Sequence, residues 1–278
     1  MGSPRALADL AVQVLHAEAQ LTPKPGLVDR RGPGSHTDMT LSLLRASAEA
    51  LRPAFEDCAR AARSLPLGAA LRARIGAVGR AGETRMLQVA GGVNTHRGAL
   101  WALGLLSAAA AAKADTAGIV GFAAELAGLP DHAAPPSDPR AHGRVARRRY
   151  GVAGAAGEAR AGFPHVTAVA LPALRHARAR GATEQQARLD ALLALMARVA
   201  DTCLLHRGGP AGLAAVQAGA AAVLAAGGTA APAGRARLAA LDEYAARAGL
   251  SPGGSADLLA AALFLDALSA DGVTLDEP

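Results

Sequence analysis

Long Ala- and Leu-rich stretches alternate along this chain with short breaks in which glycine and proline stand beside charged residues. That alternation constrains the fold more than any other feature. Ala and Leu are strong helix formers, whereas strands favour β-branched and aromatic residues. Aromatic residues make up only 3% of the 278 positions against 51% hydrophobic, and no segment keeps a strand period. The expectation is an all-α fold: a single globular multi-helix domain over residues 1–278, with functional Gly-rich loops between the helices.

The first helix reads as Leu7 to Leu21, with Leu7, Leu10, Val14 and Ala17 on one face. Thr22-Pro23-Lys24-Pro25-Gly26 then stops it, and Gly32-Pro33-Gly34 extends the break. Thr40 or Asp38 suits the cap of a helix running to about Ser64. A second break, Gly91 to Gly98, precedes the apolar helix Ala99 to Ala112, with Asn94 or Thr95 as its cap. A third spans Pro130 to Pro139 and leads through basic residues 144–149 into the Gly-rich stretch Gly151 to Pro164. Further helices are expected over about 165–180, 184–206, 210–226, 233–249 and 255–270. Helix N-termini facing such loops favour anions, through free N–H groups and the macrodipole.

The formal net charge of +6 suits a polyanionic partner. Without a long Lys/Arg tract, aromatic interleaving or zinc-finger spacing, nucleic acid is not the expected one, and a phosphorylated small molecule fits better. Cys58 and Cys203 form neither a disulfide framework nor a CxxC pair. The N-terminus lacks a signal-peptide core, and the run Ala99 to Ala112 is shorter than the ~18 residues of a membrane span, so the expectation is a cytoplasmic protein with no membrane partner. Lysine stands only at Lys24 and Lys113, and asparagine only at Asn94. In an Arg- and Ala-rich chain, Lys24 and Asn94 are candidates for chemistry that Arg and Ala do not supply. Lys113, at the end of an Ala run, reads as an ordinary helix-end cation.

The polar breaks carry six constellations, each with a bland counterpart. Glu18, Lys24 and Asp29 suit a phosphate or metal-phosphate site, or else a surface turn. His36 and Asp38 suit proton transfer or metal, or else a loop and a cap. Asn94, His96 and Arg97 suit anion recognition at a helix start, or else plain capping. Arg144, Arg147, Arg148 and Arg149 read as a solvated face, while Glu158 among glycines is the better candidate. Asp201 and His206-Arg207-Gly208-Gly209 fall near a helix C-terminus. Ser255 and Asp257 open the last helix, where an acidic residue is stabilising in any case. GxxxxGK[ST], GxSxG and a post-strand GxGxxG are absent, so the usual ATP-binding folds are not expected.

Four strings resemble the triphosphoribosyl-dephospho-CoA synthase family: Glu18 to Asp29 with its Thr22-Pro23-Lys24-Pro25-Gly26-Leu27-Val28-Asp29, Gly92 to Gly98, Gly157-Glu158-Ala159 with Gly162-Phe163-Pro164, and Ser251 to Asp257. Asp201 to Gly209 looks like the branch serving malonate decarboxylase rather than citrate lyase. Ala156 stands where the family leads one to expect an arginine, and Arg160 is the neighbouring substitute. The resemblance implies an all-α fold and a Mg²⁺-dependent reaction. The 2′-hydroxyl of 3′-dephospho-CoA attacks C1′ of the ATP ribose, adenine leaves, and the triphosphate is retained. A later transferase moves the product onto an acyl-carrier protein.

On that resemblance the roles divide as follows. Lys24, Asn94, Arg97, Arg207 and Ser255 are expected to bind phosphate or nucleotide. Asp29, Asp38 and Asp257 are expected to hold Mg²⁺, and Glu158, Asp201, His96 and His206 to be catalytic, with His36 a further proton donor. Asp29, Glu158, Asp201 and Asp257 are expected to converge on one pocket. Two other readings remain: an ADP-ribosyl-type glycohydrolase of helical fold, and a basic helical adaptor for a CoA-type ligand or acyl-carrier protein.

Overall fold

The computed structural model describes residues 2–135 and 142–269. Residues 136–139 of the third expected break, and the end of the last expected helix at 270, lie outside the described residues. Twelve α-helices and one π-helical turn make up the described structure, with no strand beyond an isolated Asp29–Gly32 bridge. The all-α expectation holds.

The helices are α1 (Pro4–Gln20), α2 (Leu41–Ser64), α3 (Ala69–Val89), α4 (Arg97–Ala112), α5 (Thr116–Gly128), α6 (His142–Tyr150), α7 (Gly154–Arg160), a π-helical turn (Val166–Ala170), α8 (Leu171–Ala179), α9 (Glu184–Met196), α10 (Thr202–Ala225), α11 (Pro232–Arg247) and α12 (Gly253–Leu268). Their starts follow ordinary capping chemistry. Ser3 accepts from the Ala6 N–H, Thr40 from Leu43, Asp115 from Gly118, and Thr183 forms a capping box with Gln186.

Two helices form the centre. In α4, 12 of 16 residues are buried, and in α12, 11 of 16. A helix that is apolar nearly all round has to be surrounded. α1, α2 and α12 pack around α4, with α3, α5 and α7 completing its cover, while α9, α10 and the π-helical turn lie against α12. One main core runs from Leu7 to Leu265, beside a small satellite of Ala19, Val28 and Leu44.

Three readings of the sequence need correction. The helix expected over 184–206 is two helices: α9 ends at Met196, and Asp201 starts α10 by accepting the N–H groups of Cys203 and Leu204. Asp201 is therefore an N-cap and does not lie at a helix C-terminus. The backbone of α10 breaks again at Gly209 (φ 61°), before Pro210. Residues 142–150 and 154–160 are helices α6 and α7, although glycine and charge masked them. Finally, the membrane argument overlooked α10, which is long and apolar enough, by length and composition alone, to cross a membrane.

Candidate active site

The N-terminal ends of α4, α10 and α12 meet, and four of the sequence motifs meet with them. Asp201, the cap of α10, also reaches α12: its Oδ2 accepts the Ser255 N–H at 2.8 Å and the Ser255 hydroxyl at 3.1 Å. Asp257 lies beyond the first turn of α12, so it does not cap its own helix. It accepts the Ala99 N–H in the first turn of α4. Gly98 permits this approach, because a methyl group there would overlap the Asp257 carboxylate. Three helix dipoles thus point positive ends at two aspartates.

The third carboxylate is Glu18, near the end of α1. Its Oε1 accepts from Lys24 Nζ at 2.6 Å, and its backbone carbonyl accepts from the same ammonium at 2.6 Å. Lys24 is 1% exposed. The loop that carries it is buried from Lys24 to Asp29, and Gly26 (φ 68°) lets the chain pass against the Leu250 carbonyl, where a side chain would overlap. Lys24 therefore does not face solvent; its charge is matched to Glu18.

Burial, then the negative charges of Glu18 and Asp201, push the Asp257 carboxyl well above the usual carboxylate range. Burial also raises Asp201, against the opposing effect of its N–H and hydroxyl donors. Neither aspartate has an ion-pair partner among the described residues. Glu18, Lys24, His96, Asp201 and Ser255 are all buried, whereas Asp257 keeps partial exposure. The cluster is open to solvent at Asp257. His96 lies nearby and senses both Glu18 and Lys24; burial lowers its pKa, so the ring is neutral. Its Nε2 contacts the Leu44 carbonyl at 3.0 Å and must donate there, which leaves the lone pair on Nδ1.

Of the other candidates, Asp29, Asp38, Asn94, Arg97 and Arg207 have no hydrogen bond or ion pair to Asp201 or Asp257 among the described residues, although Asp29 accepts from Lys24, and Asn94 and Arg97 stand at the start of α4. Asp29 is buried and saturated: it accepts from Arg31 Nη2 at 2.7 Å and from the Lys24 and Arg31 N–H groups at 2.9 and 2.7 Å. Burial would raise its pKa, but the Arg31 guanidinium and those N–H groups prevail and lower it. Asp38 is exposed, 3.5 Å from His36 Nδ1. Asp29, Asp38 and Asp257 thus do not assemble a Mg²⁺ cage, and no group of three or more acidic, His or Cys side chains among the described residues is spaced to hold a metal. Asn94 and Arg97 are exposed; the N-cap of α4 is His96 rather than the expected Asn94 or Thr95, though Asn94 Oδ1 accepts the Arg97 N–H at 3.2 Å, and Arg97 pairs with Glu83 at 2.6 Å. His206 is exposed on α10. Arg207 bridges the Ser35 and Gly249 carbonyls and reaches His36, whose Nε2 meets Ser251 Oγ at 2.8 Å. Burial, then the Arg207 charge, lowers the His36 pKa.

Glu158 is bonded elsewhere. Its two oxygens meet the His165 N–H at 2.8 Å and His165 Nδ1 at 2.7 Å. That bond raises the His165 pKa, aided by the Arg198 carbonyl. This dyad is tied to the chain three residues before Asp201, but among the described residues no hydrogen bond or ion pair joins it to the aspartates. Of the four carboxylates expected to converge, Asp201 and Asp257 act on each other, with Glu18 as a third, while Asp29 is linked to Glu18 only through Lys24. His165 was missed, since nothing marks a lone histidine seven residues after Glu158.

A family model described as ATP:dephospho-CoA triphosphoribosyl transferase matches residues 4–274. The chain belongs to that family. A 2-(5″-triphosphoribosyl)-3′-dephosphocoenzyme-A synthase of Klebsiella pneumoniae is 53% identical to this transferase over 94% of the chain and 93% of its own length. Relatives from Stutzerimonas stutzeri A1501 and Pseudomonas fluorescens Pf-5, each named "Probable 2-(5″-triphosphoribosyl)-3′-dephosphocoenzyme-A synthase", are 58% and 56% identical, over 95% and 96% of the chain and 91% and 93% of their own lengths. No solved structure matches the transferase.

Proposed function

We propose that this transferase joins ATP to 3′-dephospho-CoA, giving 2′-(5″-triphosphoribosyl)-3′-dephospho-CoA and adenine. The observation that carries the reading is the carboxylate group Glu18, Asp201 and Asp257, which lies at the meeting of three helix N-termini and opens to solvent only at Asp257. Breaking a ribosyl–adenine bond develops positive charge at C1′, and carboxylates fixed in a low-dielectric site stabilise it.

Asp257 holds its proton to higher pH than an ordinary carboxylic acid. It is therefore suited to protonate adenine as the C1′–N bond breaks. The carboxylate left behind faces the cationic carbon and takes the proton of the attacking 2′-hydroxyl, so the acid is restored each cycle. Asp201 and Ser255 fix the head of α12 that carries Asp257, and Lys24 holds Glu18 beside it. Mg²⁺ belongs to the proposal only as the ion carried in on the ATP phosphates, since Mg²⁺ is commonly held by phosphates and water with few protein ligands.

The string Asp201 to Gly209 favours the malonate decarboxylase branch over citrate lyase, with the product passed in the cytoplasm to an acyl-carrier-protein transferase. The test is chromatography of products from the purified protein given ATP, dephospho-CoA or both. Adenine released only with both substrates is the expected result. Adenine from ATP alone would replace this reading with a glycohydrolase, and no turnover would leave an adaptor.

A further inference from the structure

α6 carries Arg144, Arg147 and Arg148, which are three and four residues apart and so share one helix face. All three are exposed, and none pairs with an acidic group among the described residues. Like charges at these spacings destabilise a helix. Part of that effect is offset for Arg147 and Arg148, which stand in the C-terminal turn, where cations are favoured; Arg144 stands in the first turn. A solvated face would end the matter there, but this face borders an open surface recess. Arg144, Arg147 and Arg148, with Gly151 and Val152, line this shallow recess of about 500 Å³, open to solvent on one side. Gly151 closes α6 in the left-handed region (φ 68°), with open space where a side chain would stand.

The recess has a definite neighbour. α6 packs on α10. The Gly143 and Gly154 backbones both approach Thr202, the residue after Asp201, and the Arg147 methylenes lie against Gly154. The arginine face therefore adjoins the start of α10, whose cap is bonded to Ser255 at the head of α12. A basic recess beside an acidic one suits a ligand with phosphates at one end and a ribose that becomes cationic at the other.

We propose that the arginine-lined recess is a polyphosphate subsite, which holds the phosphate chain of one substrate while its sugar reaches the carboxylates at the head of α12. This rests on the transferase reading for the identity of the substrate, but not for the existence of the site. Three guanidiniums around a phosphate chain offer forked, charge-assisted donors.

The test uses the full chain and inorganic tripolyphosphate as the calorimetric probe. The native protein is expected to bind it, more weakly as salt rises. The triple variant R144A/R147A/R148A should bind about a thousandfold more weakly or not at all, taking each charge-assisted bond at roughly tenfold, with its thermal melt kept. Substrate kinetics then identify the source of the phosphates. A raised KM for ATP alone assigns the triphosphate, and a raised KM for dephospho-CoA alone assigns the diphosphate of the CoA moiety. If the triple variant melts early, R148E at one exposed position gives the same reading. Failure of the native protein to bind tripolyphosphate, or unchanged binding and both KM values unchanged in the variants, overturns the subsite. Absence of adenine release by the native protein would remove the transferase reading and leave the titration to decide the recess.

Discussion

The two aspartates of α12 make an instructive pair. Asp266, near the C-terminal end, is buried and accepts from Arg178 Nη2 at 2.8 Å; the same guanidinium holds both oxygens of Glu184 at 2.9 Å, and Arg188 adds a further bond to Glu184 at 2.7 Å. Asp257, near the N-terminal end, has only backbone dipoles and two carboxylate neighbours. At one end every negative charge has a guanidinium. At the other the charges repel, and among the described residues only Glu18 has a cation. Packing alone would select the first arrangement, so the second points to a site where a developing positive charge is expected. Strongly shifted groups cluster at such sites.

The comparison can be broken at either end. Asp257→Asn should have the largest effect. Adenine release should fall about 10²–10⁴-fold, while the thermal midpoint holds or rises, because an amide still accepts from Ala99 and no longer repels Glu18 and Asp201. Lys24→Met makes Glu18 resemble Asp257 by removing its cation. Breaking one partner of a buried pair costs about 3–5 kcal/mol, read as a lower denaturant midpoint. Asp266→Asn should do the reverse of Asp257→Asn: a loss of about 1.5–3 kcal/mol in stability, with turnover per folded molecule unchanged.

A pH series sharpens the contrast. The folded Asp257 pKa is raised above its ordinary 3.8, so the folded state binds more protons than the unfolded one across the interval between the two values. Stability from this group is therefore full below about 3.8 and falls as pH rises towards the folded pKa. The stability advantage of Asp257→Asn should accordingly vanish in acid and grow with pH, as thermal melts would record. A constant difference would mean that Asp257 is not perturbed. The smallest effect on stability belongs to Asn94→Asp, which keeps the cap on Arg97 and should change stability by less than about 0.5 kcal/mol. Calorimetry should show ATP bound more weakly, through repulsion at the start of α4.

Much of this was legible in the sequence, for identifiable reasons. Ala- and Leu-rich stretches between Gly/Pro breaks announced the helices, and Lys24 stood in a long, specific motif, while Ser255 and Asp257 also read as an ordinary helix start. The break before Asp201 was not legible, because Ala197-Arg198-Val199-Ala200 contains no breaker; the chain turns there because the Asp201 carboxylate binds both its own helix start and Ser255. The commitment of Asp29 to Arg31 was hidden for a similar reason: an aspartate beside arginines reads equally as a ligand or a lock. The arginines of α6 looked like a solvated face until α10 packed behind them.

The junction of α1, α4, α10 and α12 draws Glu18 and Asp257 together from nearly opposite ends of the chain. Contacts so distant in sequence form late, because the loop between them must be closed before they contribute anything. Helices such as α2 and α4 can form and pair while this junction is still open. During refolding, catalytic competence should thus trail the recovery of helical signal. A chain cut anywhere between the two carboxylates would have to reassemble from separate pieces before it could act.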